Sequence, residues 1–189
     1  KTRIIHDLSS PAGASLNDHI DYVRTSYASV DKAFATIKKG CWIAKIDITA
    51  FYRHMGLDPF DWPLTGFRWD GQQFIDTRLN FGQRNAPEVA YRFAMAVLGH
   101  VRQELAAMGL EGWLEVFVVC DDWLVVAETK EDCERVWRFI IAALIALGFE
   151  VAQHKCQQAC RALVWLGLLF NSAERTVSLP AEKVAKAIA

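Results

Sequence analysis

No stretch of this sequence is apolar for the ~20 residues that a bilayer crossing needs. Runs such as Val116 to Cys120 and Ala142 to Leu147 fall far short of it, and no membrane partner is expected. A surplus of charge is lacking as well. The 21 Lys and Arg against 22 Asp and Glu leave a formal net charge of −1, so no basic field surrounds the chain and any polyanion has to be gripped locally. Paired cysteine motifs are missing: the 5 cysteines are odd in number and mostly set in apolar runs, as suits reduced intracellular thiols and not a disulfide framework. His154, Cys156 and Cys160 have no second paired motif to complete a zinc site, which favours packed thiols. Repeats and low-complexity tracts are absent too.

Apolar material is plentiful. Hydrophobic residues make up 52% of the 189, with 7 Trp and 11 Phe, enough to offset the chain entropy lost in forming one compact unit or two small lobes. The first residue is Lys1 and the closing AEKVAKAIA breaks off within a helical pattern, so the chain reads as a piece of a longer polypeptide.

Periodicity then orders the elements. Ser29 caps a helix carrying Val30, Ala33, Phe34 and Ile37 and stopping at Gly40. Cys41 to Ile48 alternates as a strand, with Ile43, Lys45 and Asp47 on one face and Asp47 at its C-terminal end. Asp70-Gly71 suits a tight turn between Leu64 to Trp69 and Gln73 to Leu79. Pro87 opens a long helix over 87–108. Strands 114–120 and 123–127 flank Asp121-Asp122, which forms the tip of a hairpin. Thr129 and Asp132 form a capping box for a helix over 130–147 whose stripe is Val136, Phe139, Ile140, Ala143 and Leu147, and 149–152 follows as a short strand. A further hairpin, Leu163 to Phe170 with Thr176 to Leu179, precedes a helix after Pro180. With the first hairpin set aside, the order β-α-β-β-α-β predicts an α+β fold, a split βαβ antiparallel sheet with two helices on one face.

In that sheet the strand ending at Asp47 lies beside the acidic hairpin, so three carboxylates share one end. Adjacent carboxylates between hydrophobic strands repel one another and lose solvation unless a cation offsets this. Such a cluster suits Mg²⁺, a hard ion held by one or two carboxylates plus substrate phosphates, and paired ions serve in-line phosphoryl transfer.

The segments KIDITAFYRHMGLDP, LNFGQRNAPEVAYRF, VVCDDWLVV, LGFEVAQHKC and VWLGLLF, in this order, resemble the successive motifs of reverse transcriptases, and the opening RIIHDLSSPAGASLND resembles the fingers motif before them. The pattern is most similar to that of retrotransposon enzymes. This resemblance implies a ferredoxin-like palm (41–53 and 87–170), partial fingers (1–40 and 54–86), and at 171–189 the end of the primer-grip hairpin and the start of a largely absent thumb. It implies an RNA-directed DNA polymerase acting on an RNA or DNA template with primer and on deoxynucleoside triphosphates, with two Mg²⁺ ions or Mn²⁺ in their place.

By the same resemblance Asp47, Asp121 and Asp122 are catalytic metal ligands and Ile48 adds a backbone carbonyl. Tyr52, five residues beyond Asp47, matches the gate that excludes a ribonucleotide's 2′-OH, the group that distinguishes RNA from DNA precursors. Arg3 matches the fingers arginine that grips the triphosphate in a planar fork. Phe81 matches the residue near the nucleotide sugar, Gly82 allows close backbone approach, and Lys155 matches a lysine near the pyrophosphate. Trp165, Leu166 and Gly167 match the primer grip. The sequence departs from the family pattern at Val119, Asn80, Gln83 and Phe51, where a tyrosine, a proline, an aliphatic and a small residue are usual. Three other readings share the fold: a palm-type RNA polymerase, a nonenzymatic nucleic-acid-binding module and a catalytically inactive remnant.

Overall fold

The computed structural model describes residues 5–27, 29–110 and 112–188. Arg3 lies outside them. The chain forms two compact units, Lys1–Ser26 with Ala50–Phe93, and Tyr27–Thr49 with Ala94–Ala189.

The second unit is built on a four-stranded antiparallel sheet of β1 (Trp42–Asp47), β4 (Leu114–Val119), β5 (Asp122–Ala127) and β6 (Gln157–Cys160), in the order β4-β5-β1-β6. Taken by position in the chain this is 2-3-1-4, the ferredoxin-like order of a split βαβ unit. Strand β5 is central and reads as an apolar run, Trp123 to Ala127, because both its faces are covered. On one face Ile43, Phe117, Leu124 and Val126 pack with Ala33 and Ile37, beside helix α1 (Val30–Thr36), and with Leu163, Trp165 and Phe170. The last three belong to a second sheet of β7 (Ala162–Trp165), β8 (Leu168–Asn171) and β9 (Thr176–Ser178). Helix α3 (Lys130–Ala146) packs on β1, β5 and β6, and helix α4 (Ala181–Ile188) follows β9. Along β1, Lys45 and Asp47 continue the face that begins with Ile43, so the apolar core gives way to charge at the strand's C-terminal end.

Helix α2 (Ala86–Ala106) crosses the boundary between the units and buries Ala90, Ala94, Val97, Leu98, Val101 and Leu105 at helical spacing. In the first unit, β2 (Gly66–Trp69) and β3 (Gln72–Ile75) pair across Asp70 and Gly71, whose φ values of 48° and 74° make the left-handed turn that joins two strands without splaying them.

Four local expectations are corrected. The fourth strand is Gln157–Cys160 and not 149–152. The latter stretch makes only an isolated bridge of Val151 with Ile48, and a 3₁₀ turn over Gln153–Lys155 carries the chain onward to pair with β1. The turn after β4 is Cys120-Asp121, because Val119 pairs with Asp122, which is already a strand residue. Only half of the capping box forms. Thr129 accepts from the Asp132 amide, but the Asp132 carboxylate takes the amide of Gly112 instead. The buried stripe of α3 is Cys133, Val136, Ile140, Ile141 and Leu144. Leu147 is exposed, since helical rotation carries it past the sheet.

Candidate active site

Three acids, Asp47, Asp121 and Asp122, lie at one end of the four-stranded sheet. Asp47 closes β1 and stands directly across from Asp122, the first residue of β5. Asp121 occupies the two-residue turn, and its carbonyl accepts from the Ile48 amide at 3.1 Å, tying the turn to the residue after Asp47. Its neighbour Cys120 takes a φ of 53°, a conformation that costs a non-glycine residue of order 1 kcal/mol and persists only where the surroundings impose it. Ladder hydrogen bonds on both sides of the turn impose it here. The stretch that failed to become a strand also serves the site: Thr49 donates to Glu150 O at 2.7 Å and Ala152 donates to Asp47 O at 2.8 Å, fixing the backbone on either side of Ile48.

Two lysines answer this negative charge. Lys155, at the end of the 3₁₀ turn, donates to Asp47 Oδ1 at 2.8 Å, and that hydrogen bond holds its ammonium above the usual lysine range. Lys45 lies 2.8 Å from Asp122 Oδ1. Asp47 is almost wholly buried, at 4% exposure, so its partner is needed to offset the solvation it has lost. Among the described residues no ion pair engages Asp121. Burial, and then repulsion from Asp122 and Asp47, push its carboxyl above the usual range. With two acids drawn to ammonium groups, no three His, Cys, Asp or Glu side chains among the described residues are gathered tightly enough to hold a metal ion as they stand. The donor set nonetheless fits a hard cation. It offers three carboxylates and a nearby backbone, all oxygen, with one half-buried carboxylate, Asp121, in no ion pair among the described residues.

Sequence reasoning missed Lys45. Its signal was the i, i+2 spacing to Asp47, which places both on one strand face. Cys156 and Cys160 prove to be packed thiols facing the backbone, Cys156 Sγ at 3.4 Å from Ala152 O and Cys160 Sγ at 3.2 Å from Ala162 O. Burial raises both.

The hairpin after β7 places the proposed grip residues. Leu166 and Gly167, at φ 48° and 77°, form its turn, while Trp165 is fully buried in the core. Trp165 thus serves the turn as an anchor from beneath.

The sugar-side residues belong to the first unit. Tyr52 lies in a 3₁₀ turn over Phe51–His54 that follows Ala50 at φ 47°, and its ring stacks on Phe81 at 4.9 Å and 29°. Phe51, bulky where the family has a small residue, turns inward and is buried. Phe81 O accepts from the His6 amide at 3.0 Å, and Asn17 Nδ2 donates to Gly82 O at 2.8 Å. Gly82 adopts φ 111°, and a Cβ there would run into the carbonyl of His6, so only glycine permits this approach. The neighbouring Asn80 is 1% exposed, and its carboxamide has no hydrogen-bond partner among the described residues.

Known proteins share the sequence pattern and the fold. Residues 5–170 match the family described as reverse transcriptase (RNA-dependent DNA polymerase). The Gag-Pol polyprotein of Gibbon ape leukemia virus is 29% identical over 149 residues, covering 75% of this chain and 8% of that protein. The retrovirus-related Pol polyprotein from transposon gypsy of Drosophila melanogaster is 27% identical over 156 residues, covering 82% and 14%. The chain thus spans a small part of the length of these relatives. Among solved structures, a foamy viral protease-reverse transcriptase in complex with double-stranded DNA superposes with a TM-score of 0.78 at 17% identity, covering 97% of this chain and 29% of that one. The foamy viral enzyme in complex with an RNA/DNA hybrid gives 0.72 at 17%, covering 91% and 22%. At such identities the structures show a shared fold, and the family match over most of the chain shows more: this chain belongs to the reverse transcriptase family.

Proposed function

We propose that the chain is the fingers and palm part of an RNA-directed DNA polymerase from a retroelement, extending a primer on an RNA or DNA template with deoxynucleoside triphosphates. The observation that carries this reading is the register that sets Asp47 opposite Asp122, with Asp121 in the adjoining turn. Foamy viral relatives bound to double-stranded DNA and to an RNA/DNA hybrid support a nucleic-acid partner.

Asp47, Asp121 and Asp122, with the Ile48 carbonyl, would hold two Mg²⁺ ions or Mn²⁺. When bound, such ions lower the barrier to in-line attack of a primer 3′-OH on the α-phosphorus by stabilising charge on the attacking and leaving oxygens. Lys155 is protonated at neutral pH and placed beside Asp47, so it can meet charge growing on the departing pyrophosphate. Tyr52, backed by Phe81, bars the 2′-OH. Leu166 and Gly167 steady the primer end, and Arg3 grips the triphosphate. The fingers comprise 1–40 and 54–86 and the palm 41–53 and 87–170, with 171–189 leading toward a thumb.

The test is primer extension by the natural polypeptide with and without Mg²⁺. Extension that depends on the cation and favours deoxynucleotides is expected. Tyr52→Ala should admit ribonucleotides by about tenfold or more, as when a site loses the contact that rejects one extra group. Cation-independent extension, or none with an intact fold, contradicts the proposal, the latter in favour of an inactive remnant.

A second expectation concerns Lys45. Lys45→Met preserves volume but leaves Asp122 without its counter-ion, and both side chains of the pair are less than a quarter exposed. Metal-free stability should fall by about 1–2 kcal/mol, less than for a fully buried pair. Added Mg²⁺ should then raise the melting temperature more than in the parent. Parent-like melting in EDTA would show the pair to be idle.

A further inference from the structure

One buried acid in the first unit is not used by the proposed chemistry. Asp76, just after β3, is 8% exposed and sits at the junction of three segments. Its Oδ2 accepts from Arg53 Nη1 at 2.6 Å and lies 3.2 Å from His6 Nε2, a close approach without hydrogen-bond alignment. Oδ1 accepts from the Arg78 amide at 3.1 Å, and the Asp76 carbonyl accepts from Thr65 Oγ1 at 2.6 Å. Burial would raise this carboxyl, but the Arg53 hydrogen bond and the Arg78 amide outweigh it and hold it below its usual range, so it is a carboxylate at neutral pH.

What Asp76 touches closes a ring around the Tyr52–Phe81 stack. Arg53 follows Tyr52 in the same four-residue turn, so a fixed guanidinium fixes the turn that aims the tyrosine. His6 holds the other ring. Its amide donates to Phe81 O, its carbonyl lies against Gly82, and its imidazole packs edge-on against Phe67 at 4.9 Å. The Asp76 carboxylate reaches both Arg53 and His6. Resting on the reading of Tyr52 as a sugar gate, the geometry points to Asp76 as a positioning residue for sugar selection, acting through Arg53 and His6 to hold the two stacked rings in register.

The test compares deoxy- and ribonucleotide incorporation by the natural polypeptide. Asp76→Asn keeps the shape and removes the charge. Arg53→Gln is a second variant less prone to unfold, because the arginine side chain is 44% exposed. Each should lower the ratio of deoxy- to ribonucleotide kcat/KM by about tenfold, as a small displacement of a positioned group does. The change should appear mainly as a lower ribonucleotide KM, and Arg53→Lys should restore most of the ratio. In a Tyr52→Ala background the same substitutions should leave the ratio within about twofold, since contacts acting through one side chain are not additive. Equal losses with both nucleotides, or the same fall in the ratio without Tyr52, would reduce Asp76 to a structural role and overturn the inference alone. If Tyr52→Ala itself leaves sugar preference untouched, the gate assignment fails and this inference falls with it.

Discussion

Asp121→Asn is expected to abolish primer extension while making the metal-free protein more stable. Asp121 lies in the turn beside two other acids, and losing its charge removes several kcal/mol of stabilisation from a cation-assisted transfer, about 10³-fold or more in rate. Stability moves the other way. Burial first, and then the neighbouring Asp122 and Asp47, raise the Asp121 carboxyl above its unfolded range. A raised folded pKa means that the native state binds the proton more tightly than the unfolded chain. The group therefore adds stability at low pH, and that contribution is lost as the pH rises through the folded pKa. At neutral pH the ionised carboxylate is thus a burden that an amide relieves. In EDTA the variant should melt at or above the parent temperature at pH 7, with the difference closing as pH falls to about 4. Lower melting at pH 7 together with lost activity would instead trace the defect to folding.

Trp165→Ala is expected to be the most destabilising change in the proposed grip. The indole is fully buried between the two sheets, 5.8 Å from the Phe170 ring, in the cluster with Ile43, Leu124 and Val126. Truncating so large a side chain costs about 3–5 kcal/mol, and in a chain of this size it lowers the melting temperature by about 10 °C. Trp165→Phe should cost much less. It keeps an aromatic ring and removes an indole N–H that has no hydrogen-bond partner among the described residues. Because Trp165 supports the turn at Leu166 and Gly167, the alanine variant should also bind primer-template more weakly once stability is matched by temperature. An alanine variant that melts like the parent would contradict the packing described here.

Period and turn chemistry made much of this legible. Alternation in β1 placed Asp47 at a strand end, Asp70-Gly71 marked its hairpin, and Ser29 and Thr129 both cap the helices they were expected to open. The failures share a cause, which is that tertiary partners override local pattern. Residues 149–152 have strand-like composition but only the end of β1 to bond with, so the sheet takes the more polar 157–160 as its edge. Asp132 leaves its capping box because Gly112 offers an amide from across the fold. Asp121-Asp122 reads as a symmetric tip, yet the register puts one acid in the turn and the other in the ladder, giving two adjacent carboxylates different environments. Lys45 was hidden because a charged residue in a buried strand can be weighed only against the partner opposite, and Asp122 becomes that partner only once the strands are paired. The Asp76 junction joins positions 6, 53 and 76 and has no signature in any local window.

The proposed phosphoryl transfer requires Asp47 and the adjoining Asp121 and Asp122 to gather divalent cations. Anomalous diffraction from crystals grown with Mn²⁺, a primer-template and a deoxynucleoside triphosphate would locate them. Two peaks about 3.5–4 Å apart, touching Asp47 and Asp121 with Lys45 or Lys155 drawn off its carboxylate, are the expected result. Ordered nucleotide with no manganese at these acids would contradict it.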